Sequence, residues 1–328
     1  MKKRSMVDFT AGSATMSGNS NPLEKESFMK VIITDGISKV GVKMLVDAGI
    51  EVDDRPGLPP ADLIQAIPAY DAIIVRGATK VTADVINAGK NLKVIGRAGV
   101  GLDNVDKKAA DARGVKVVNT PAATSVTVAE LALGLMLACA RSIPQATQSL
   151  REGKWEKKAF KGTELFGKTL GLIGAGRIGS ELGKRALAMG MNVLVVDPLI
   201  KECPYGKTCE FAELLKNADY ISLHVPKTPE TMHILNKESI AQMKKGVVII
   251  NCARGGVVDE EALYEALKSG QVGAAGLDVF ESEPIKDFKL FSLPNVIGTP
   301  HVGAQTKEGQ ERAGIGIAEE VRKVLLGK

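Results

Sequence analysis

Histidine is scarce in this 328-residue chain: positions 224, 233 and 301 are the only places imidazole chemistry could sit. Four cysteines, at 139, 203, 209 and 252, are too few to staple a chain of this length. No second close pair or nearby histidine completes the Cys203/Cys209 spacing, so a zinc-type site is not expected. The cysteines read as free thiols suited to a reducing compartment, the cytoplasm. No uninterrupted apolar run approaches the ~18 residues that a bilayer span needs, so no membrane partner is expected. The most apolar stretch, 126–140, carries Glu130 and is read as a buried helix. Bases exceed acids by a net +5 only, scattered among acids rather than gathered into a stripe. That argues against a nucleic-acid partner, while the mild surplus would favour anionic substrates.

What the chain does have is length for two domains and an ordinary 45% of hydrophobic residues, enough for a core in each. Residues 1–28 stand apart: they are rich in Ser, Gly, Asn and Thr and lack an apolar targeting core. They read as a leader appended in cloning, with a targeting segment as the alternative; Met29-Lys30-Val31 reads as a natural start. From residue 30, short β-branched runs at 31–34, 72–75, 93–95 and 115–118 read as buried parallel strands. Helical spacing fills 40–48, 61–67, 83–88 and 107–113 between them. Gly49, Gly89 and Gly114 follow three of these helices, where a left-handed residue is expected to close the turn. A second strand series runs through 169–173, 193–196, 220–223, 247–250 and 273–277. A long apolar helix at 126–141 and a polar one to about 152 separate the two series. The last helix, 306–326, follows the second sheet and is expected to return to the first domain.

The second series opens on Gly174-Ala-Gly176-Arg177-Ile178-Gly179, placed after a strand and at the start of a helix. Gly174 permits the turn, Gly176 lets a pyrophosphate approach the backbone, and Gly179 lets helix and strand pack closely. The helix N-terminus then offers unpaired N–H groups to the phosphates. Asp197 ends the next strand 18 residues beyond Gly179, where an acid accepts from the ribose 2′-hydroxyl and repels a 2′-phosphate. The pattern predicts NAD rather than NADP.

A single histidine more often has a structural role than a catalytic one. His301, however, follows two other blocks, Asn251-Cys-Ala-Arg254-Gly-Gly and Gly276-Leu-Asp278-Val-Phe-Glu281-Ser-Glu283-Pro. With Thr299-Pro-His301, these blocks resemble the signatures of the D-isomer-specific 2-hydroxyacid dehydrogenases, over essentially all of residues 30–328. The resemblance implies a catalytic set of Arg254, Glu283 and His301. Chemically, an imidazole can take or return the hydroxyl proton at carbon 2, a carboxylate can favour its protonated form, and a guanidinium can grip the substrate carboxylate or carbonyl. The resemblance also places Val100 and Val225 at the cofactor by backbone contact, and Arg177 and Ile178 after the pyrophosphate turn. Cys252, Ala253, Arg254, Asp278, His301, Gly303 and Ala304 would line its nicotinamide end. No metal is implied. The implied fold is α/β, with two doubly wound parallel-sheet domains. A Rossmann NAD-binding domain (120–299) would be inserted into a flavodoxin-like substrate domain (29–119 and 300–328).

Within the family, Val75-Arg76-Gly-Ala-Thr-Lys, Gly96-Arg97-Ala-Gly99-Val-Gly-Leu-Asp-Asn and Gly153-Lys-Trp155-Glu-Lys157 resemble the branch that oxidises D-3-phosphoglycerate at the head of serine synthesis. This implies that Arg76, Arg97 and Gly99 handle the substrate, with Lys157 reaching its phosphate from a partner subunit. The partner would come from a homodimer joined through 126–152. No ACT-type regulatory domain, which many members carry, is expected after residue 328. Relatives acting on glyoxylate, hydroxypyruvate or D-lactate keep the same triad and stay open. Formate dehydrogenases carry Gln in place of the Glu and fit less well. A reading of another class is an NADH-sensing corepressor, a binding protein that recruits partners through a peptide groove.

Overall fold

The computed structural model describes residues 28–327, so the leader proposed for 1–28 lies outside them but for Phe28. The first unit comprises β1 (Lys30–Ile33), α1 (Lys39–Asp47), β2 (Glu51–Asp54), α2 (Pro60–Ala66), β3 (Ala72–Val75), α3 (Ala83–Ala88), β4 (Val94–Arg97), α4 (Lys107–Ala112) and β5 (Lys116–Asn119). Its five strands lie in the order β2-β1-β3-β4-β5, all parallel. This is the flavodoxin-like winding, with its reversal between β1 and β3. Because alternate strand residues point to opposite faces, Ile32, Ile73 and Ile95 pack under α2–α4, and Val31, Ile33, Ile74 and Val94 pack on the other face. Each fully buried aliphatic side chain of this kind contributes about 1.5–3 kcal/mol relative to exposure.

The sequence reading departs from the structure here for local reasons. The strand β2 has no signal in the sequence because three of its four residues are acidic, which an exposed edge tolerates. The strand β5 is likewise an edge, exposed at Lys116 and only partly covered elsewhere, rather than a buried strand. Gly49 and Gly114 close their helices with φ of 79° and 67°, as expected. Gly89 instead has φ −72°: its bare Cα lies against Leu92 and Ile67, and the missing side chain serves close packing rather than a left-handed turn.

The second unit opens with α5 (Ser125–Arg141) and α6 (Ile143–Arg151). It continues through β6 (Thr169–Ile173), α7 (Arg177–Ala188), β7 (Asn192–Val196), β8 (Lys207–Thr208), α8 (Phe211–Asn217), β9 (Tyr220–Leu223), α9 (Lys237–Ala241), β10 (Val247–Asn251), α10 (Glu260–Ser269), β11 (Val272–Leu277) and β12 (Val296–Gly298). Seven parallel strands run β12-β11-β10-β9-β6-β7-β8, so the winding reverses between β6 and β9. That is the Rossmann order, extended by one strand at an edge. The two-residue β8 is too short to leave a periodic signal in the sequence. The helix α5 packs on α7, β10 and β11, with Ala129, Ala132 and Met136 fully buried. Its Glu130 points out to Arg185 at 3.3 Å. Among the described residues no single helix is long and apolar enough to cross a membrane.

The final helix, α11 (Lys307–Leu326), leaves the second sheet and packs on α1, β4 and β5 of the first. Two glycines make that return possible. A Cβ on Gly96 would lie 2.6 Å from Val321, and one on Gly41 would overlap the backbone of Gly314. The Rossmann unit is thus inserted into the flavodoxin-like one, and the ends of both sheets face a common cleft.

Candidate active site

The glycine turn after β6 is dictated by sterics. Gly174 has φ +91°, and a Cβ there would stand 2.7 Å from the carbonyl oxygen of His224; a Cβ on Gly179 would overlap the carbonyl oxygen of Gly174. Gly176 has open space on its Cβ side and caps α7 without any side-chain hydrogen bond. The first N–H groups of a twelve-residue helix are therefore left to an anion. Asp197, just past β7, is held against this turn: Oδ2 accepts from the Ala175 N–H at 2.9 Å and Oδ1 from the Leu199 N–H at 2.9 Å. Each oxygen keeps a lone pair for a ribose hydroxyl. An open, uncapped helix start beside a positioned acid fits NAD, and Arg177 and Ile178 follow it at the cleft wall.

From that turn a cleft of about 410 Å³ runs between the two units. The first unit lines it with Arg97, Val100, Gly101 and Asp103, from the end of β4 and the loop after it. The second contributes Val225 after β9, Cys252–Arg254 after β10, Asp278 after β11, and His301, Gly303 and Ala304 after β12. These are the carboxyl ends of parallel strands, where open α/β sheets bind ligands.

His301 has φ 52°, and its Nδ1 lies 2.6 Å from Glu283 Oε2. The Glu283 hydrogen bond, opposed by burial and reinforced by the charges of Glu283 and Asp278 against that of Arg254, raises the imidazole above its ordinary value. Burial pushes Glu283 up. The hydrogen bonds from His301 and the Phe280 N–H, with the charges of His301 and Arg254, outweigh it and leave the carboxyl below its usual range. With Nδ1 engaged, Nε2 is the nitrogen free to exchange a proton. Asp278, 1% exposed, ties down the loop that carries His301. It accepts from Thr299 Oγ1 at 2.6 Å and from the N–H groups of Val302 and Gly303 at 2.8 Å each.

Arg254 reaches across the cleft to the first unit: Nε donates to Asp103 Oδ2 at 3.0 Å and Nη1 to the Ala253 carbonyl at 2.6 Å. A Cβ on Gly101 would overlap its guanidinium. Arg97 differs. Burial, then the charge of Arg254, depress its pKa, and among the described residues its buried Nε has no hydrogen-bond partner. Gly99, with φ +144°, leaves the space that its Nη1 occupies. The two arginines expected at the substrate follow adjacent paired strands, near enough for the charge of Arg76 to lower the Arg97 pKa as well. Arg97 shares the cleft with Arg254, whereas Arg76 Nη2 donates to Gln305 at 3.3 Å beside a neighbouring cavity lined by Asp35, Lys39 and Lys307. Lys157 is exposed and lines no part of its own chain's cleft.

Sequence reasoning missed Asp103, whose partner is 151 positions away. It also missed His224, which burial pushes down to about 4 and holds neutral beneath the glycine turn, its Nε2 2.9 Å from Ser222 Oγ. The only signal for His224 was its place at the end of an apolar strand.

Residues 133–303 match the D-isomer specific 2-hydroxyacid dehydrogenase family, NAD binding domain. The chain is 54% identical over 305 residues to a D-3-phosphoglycerate dehydrogenase of Methanocaldococcus jannaschii, covering 92% of this chain and 58% of that protein. It is 55% identical over 301 residues to a hydroxypyruvate reductase of Thermotoga maritima, covering 90% of this chain and 98% of that one. Among solved structures, a protein of Thermus thermophilus superposes with a TM-score of 0.86 at 39% identity, over 92% of this chain and 98% of that chain. The chain thus spans little more than half the length of the curated phosphoglycerate dehydrogenases it matches.

Proposed function

The chain belongs to the D-isomer-specific 2-hydroxyacid dehydrogenases, with NAD as cofactor, and from that premise we propose that it oxidises D-3-phosphoglycerate to 3-phosphohydroxypyruvate. The observation that carries this reading is Arg97: a half-buried guanidinium whose buried Nε meets no hydrogen-bond partner among the described residues, on the same cleft as Arg254 and His301. Burying an unpaired cation is costly unless an anion arrives to meet it. Two guanidiniums on one cleft suit a substrate that is anionic at both ends. Bound NAD supplies the hydride acceptor. Arg254 holds the substrate carboxylate and the oxygen on carbon 2, and neutral His301 takes the hydroxyl proton through Nε2 as the C2–H hydride leaves. Glu283 stabilises the imidazolium so formed. In the reverse direction the imidazolium returns that proton to the alkoxide.

The test is a panel of hydroxy and keto acids followed by NADH absorbance. Arg97→Ala should lower kcat/KM about ten- to a hundredfold for phosphoglycerate and phosphohydroxypyruvate, as expected for losing one charge-assisted contact of ~1.5–3 kcal/mol. Hydroxypyruvate, which has no phosphate, should be affected much less. Equal losses on both would remove the phosphate assignment. They would favour a second reading, reduction of hydroxypyruvate, which the Thermotoga maritima relative supports over nearly its whole length.

The rest of this reading concerns assembly, location and domain division. Ile143, Leu150, Trp155 and Phe166 are 51%, 58%, 84% and 74% exposed, and such exposed apolar side chains in α6 and the segment after it support a homodimer joined through 126–152. Lys157 lies in that segment and would reach a partner's cleft; sedimentation at micromolar concentration tests the dimer. The four free thiols support a cytoplasmic location. Divisions near Thr120 and Pro300 are supported by α5 packing with the second sheet and α11 with the first.

A further inference from the structure

Glu283 engages both carboxylate oxygens locally, one with the Phe280 N–H at 3.0 Å and one with His301 at 2.6 Å, so its loop has to be held from behind. There, Glu281 and Glu260 exchange bonds. The Glu281 N–H donates to Glu260 Oε1 at 2.7 Å, and the Glu260 N–H donates to Glu281 Oε1 at 3.3 Å. His233 Nε2 lies 3.2 Å from that same Glu281 oxygen. The backbone N–H of His233 donates to the Gly256 carbonyl at 2.8 Å, from a left-handed φ of 48°. Gly256 belongs to the turn that presents Arg254. In that turn a Cβ on Gly255 would overlap the carbonyl of Phe280. The backbone at 280–281 is therefore in contact with the Arg254 turn on one side and the start of α10 on the other, while its neighbour Glu283 reaches His301.

We propose that Glu281, bracketed by Glu260 and His233, is a positioning residue that holds the Glu283–His301 pair and the Arg254 turn in register. The proposal rests on the dehydrogenase reading for its kinetic consequence but not for its structural one. A carboxylate from a distant loop docking at the N-terminus of a ten-residue helix is favoured by the helix dipole and by free N–H groups. The Asp259 side chain takes the Ala262 N–H at 2.9 Å, and Glu281 takes that of Glu260. The arrangement has a cost. Burial, with the charges of Glu281 and Glu283 exceeding what the Glu281 N–H bond offsets, raises the Glu260 carboxyl. Three acids are crowded behind one imidazole, and solvent could separate them at less electrostatic cost. Their crowding is explained if the docking fixes the loop.

The titratable and charged groups facing His301 are Glu283, Asp278 and Arg254; the titratable groups facing Glu281 are Glu260 and His233. With three histidines in the chain, the His301 titration can be followed by NMR of the labelled imidazoles, each assigned by single substitution. Glu281→Ala should move that titration down toward an unpaired imidazole. It should also lower kcat on the best hydroxy acid about tenfold or more, as loss of alignment does, with NADH affinity within about twofold of the wild type's. Glu281→Gln keeps the acceptor without the charge and should stay close to the wild type in all three. Glu281→Asp, a milder change should the Ala variant fail to fold, should shift the titration in the same direction by less. An unmoved His301 titration in the Ala variant, or in the Asp variant should Ala not fold, overturns the proposal. So do equal shifts in the Ala and Gln variants, which would mean charge felt at a distance rather than position. If the wild type turned over no hydroxy acid, the functional reading would fall, and the titration would still decide the brace.

Discussion

The two sheets wind alike, yet they treat their crossover points in opposite ways. Beyond β1 and β3 the first sheet keeps a cavity lined by Asp35, Ser38 and Arg76, but its own side chains take up backbone N–H groups there. Asp35 accepts from the N–H groups of Arg76, Ala78 and Thr79 and from the Thr79 hydroxyl, and the Ser38 side chain caps α1 at Gly41. Beyond β6 and β9 the second sheet leaves its crevice open. Gly176 caps α7 with no side chain, and Asp197 takes only the N–H groups of Ala175 and Leu199. A fold with two equivalent switch points therefore leaves one helix start uncapped, as a dinucleotide requires. Where the Ser38 hydroxyl caps the helix start, no anion is wanted; where glycine leaves it bare, one is.

The strongest way to break this comparison is to close the open crevice. Gly176→Asp would place a carboxylate cap where the pyrophosphate approaches, and NAD affinity should fall by about a hundredfold or more from lost charge-assisted contacts and repulsion. Melting temperature should hold or rise slightly, since an acid at an N-cap is favourable. Retained NAD affinity, measured by fluorescence titration of NADH, would mean that the cofactor does not use this helix start.

A change of intermediate size sharpens the chemical side of the asymmetry. His301 is held above its ordinary value chiefly by the Glu283 hydrogen bond. Oxidation needs the neutral ring, so its rate should rise as pH passes upward through the folded value. Reduction needs the imidazolium and should fall across the same window. Glu283→Gln removes the anionic partner and should move both limbs to lower pH. A profile that superposes on the wild type's would separate Glu283 from the titrating group.

The smallest expected effect comes from uncapping α1 at the first crevice. Ser38→Ala removes the cap on α1 and should cost about 1 kcal/mol of stability by denaturant titration, with NAD affinity unchanged. A gain of nucleotide binding at the first sheet would show that capping does not choose between the switch points.

Much of this was legible along the chain because its signals are local. Buried parallel strands such as 72–75 and 169–173 are continuous apolar runs, and glycines at 174, 176 and 179 report a turn whose sterics involve near neighbours. The return of α11 followed from a helix with no sheet left to join. Edge strands escaped notice: β2, acidic, and β8, two residues long, lack the burial that writes a pattern into sequence.

The sequence by itself determined the two parallel sheets, the nucleotide turn with Asp197, and the order in which Arg254, Glu283 and His301 arrive. Periodicity, turn sterics and motif spacing act over a few residues to a few tens of residues. Only the tertiary structure decided that Arg97 comes to lie beside Arg254, that Asp103 meets Arg254, and that Glu260, Glu281 and His233 close behind Glu283. These are meetings between distant segments of the chain, separated in the Asp103–Arg254 pair by 151 positions. A guanidinium or carboxylate looks the same in sequence whether it meets solvent, a counter-ion or another cation. Which one it meets is set by how far each strand carries it and by where a missing Cβ, as at Gly99, Gly101 or Gly255, lets it lie.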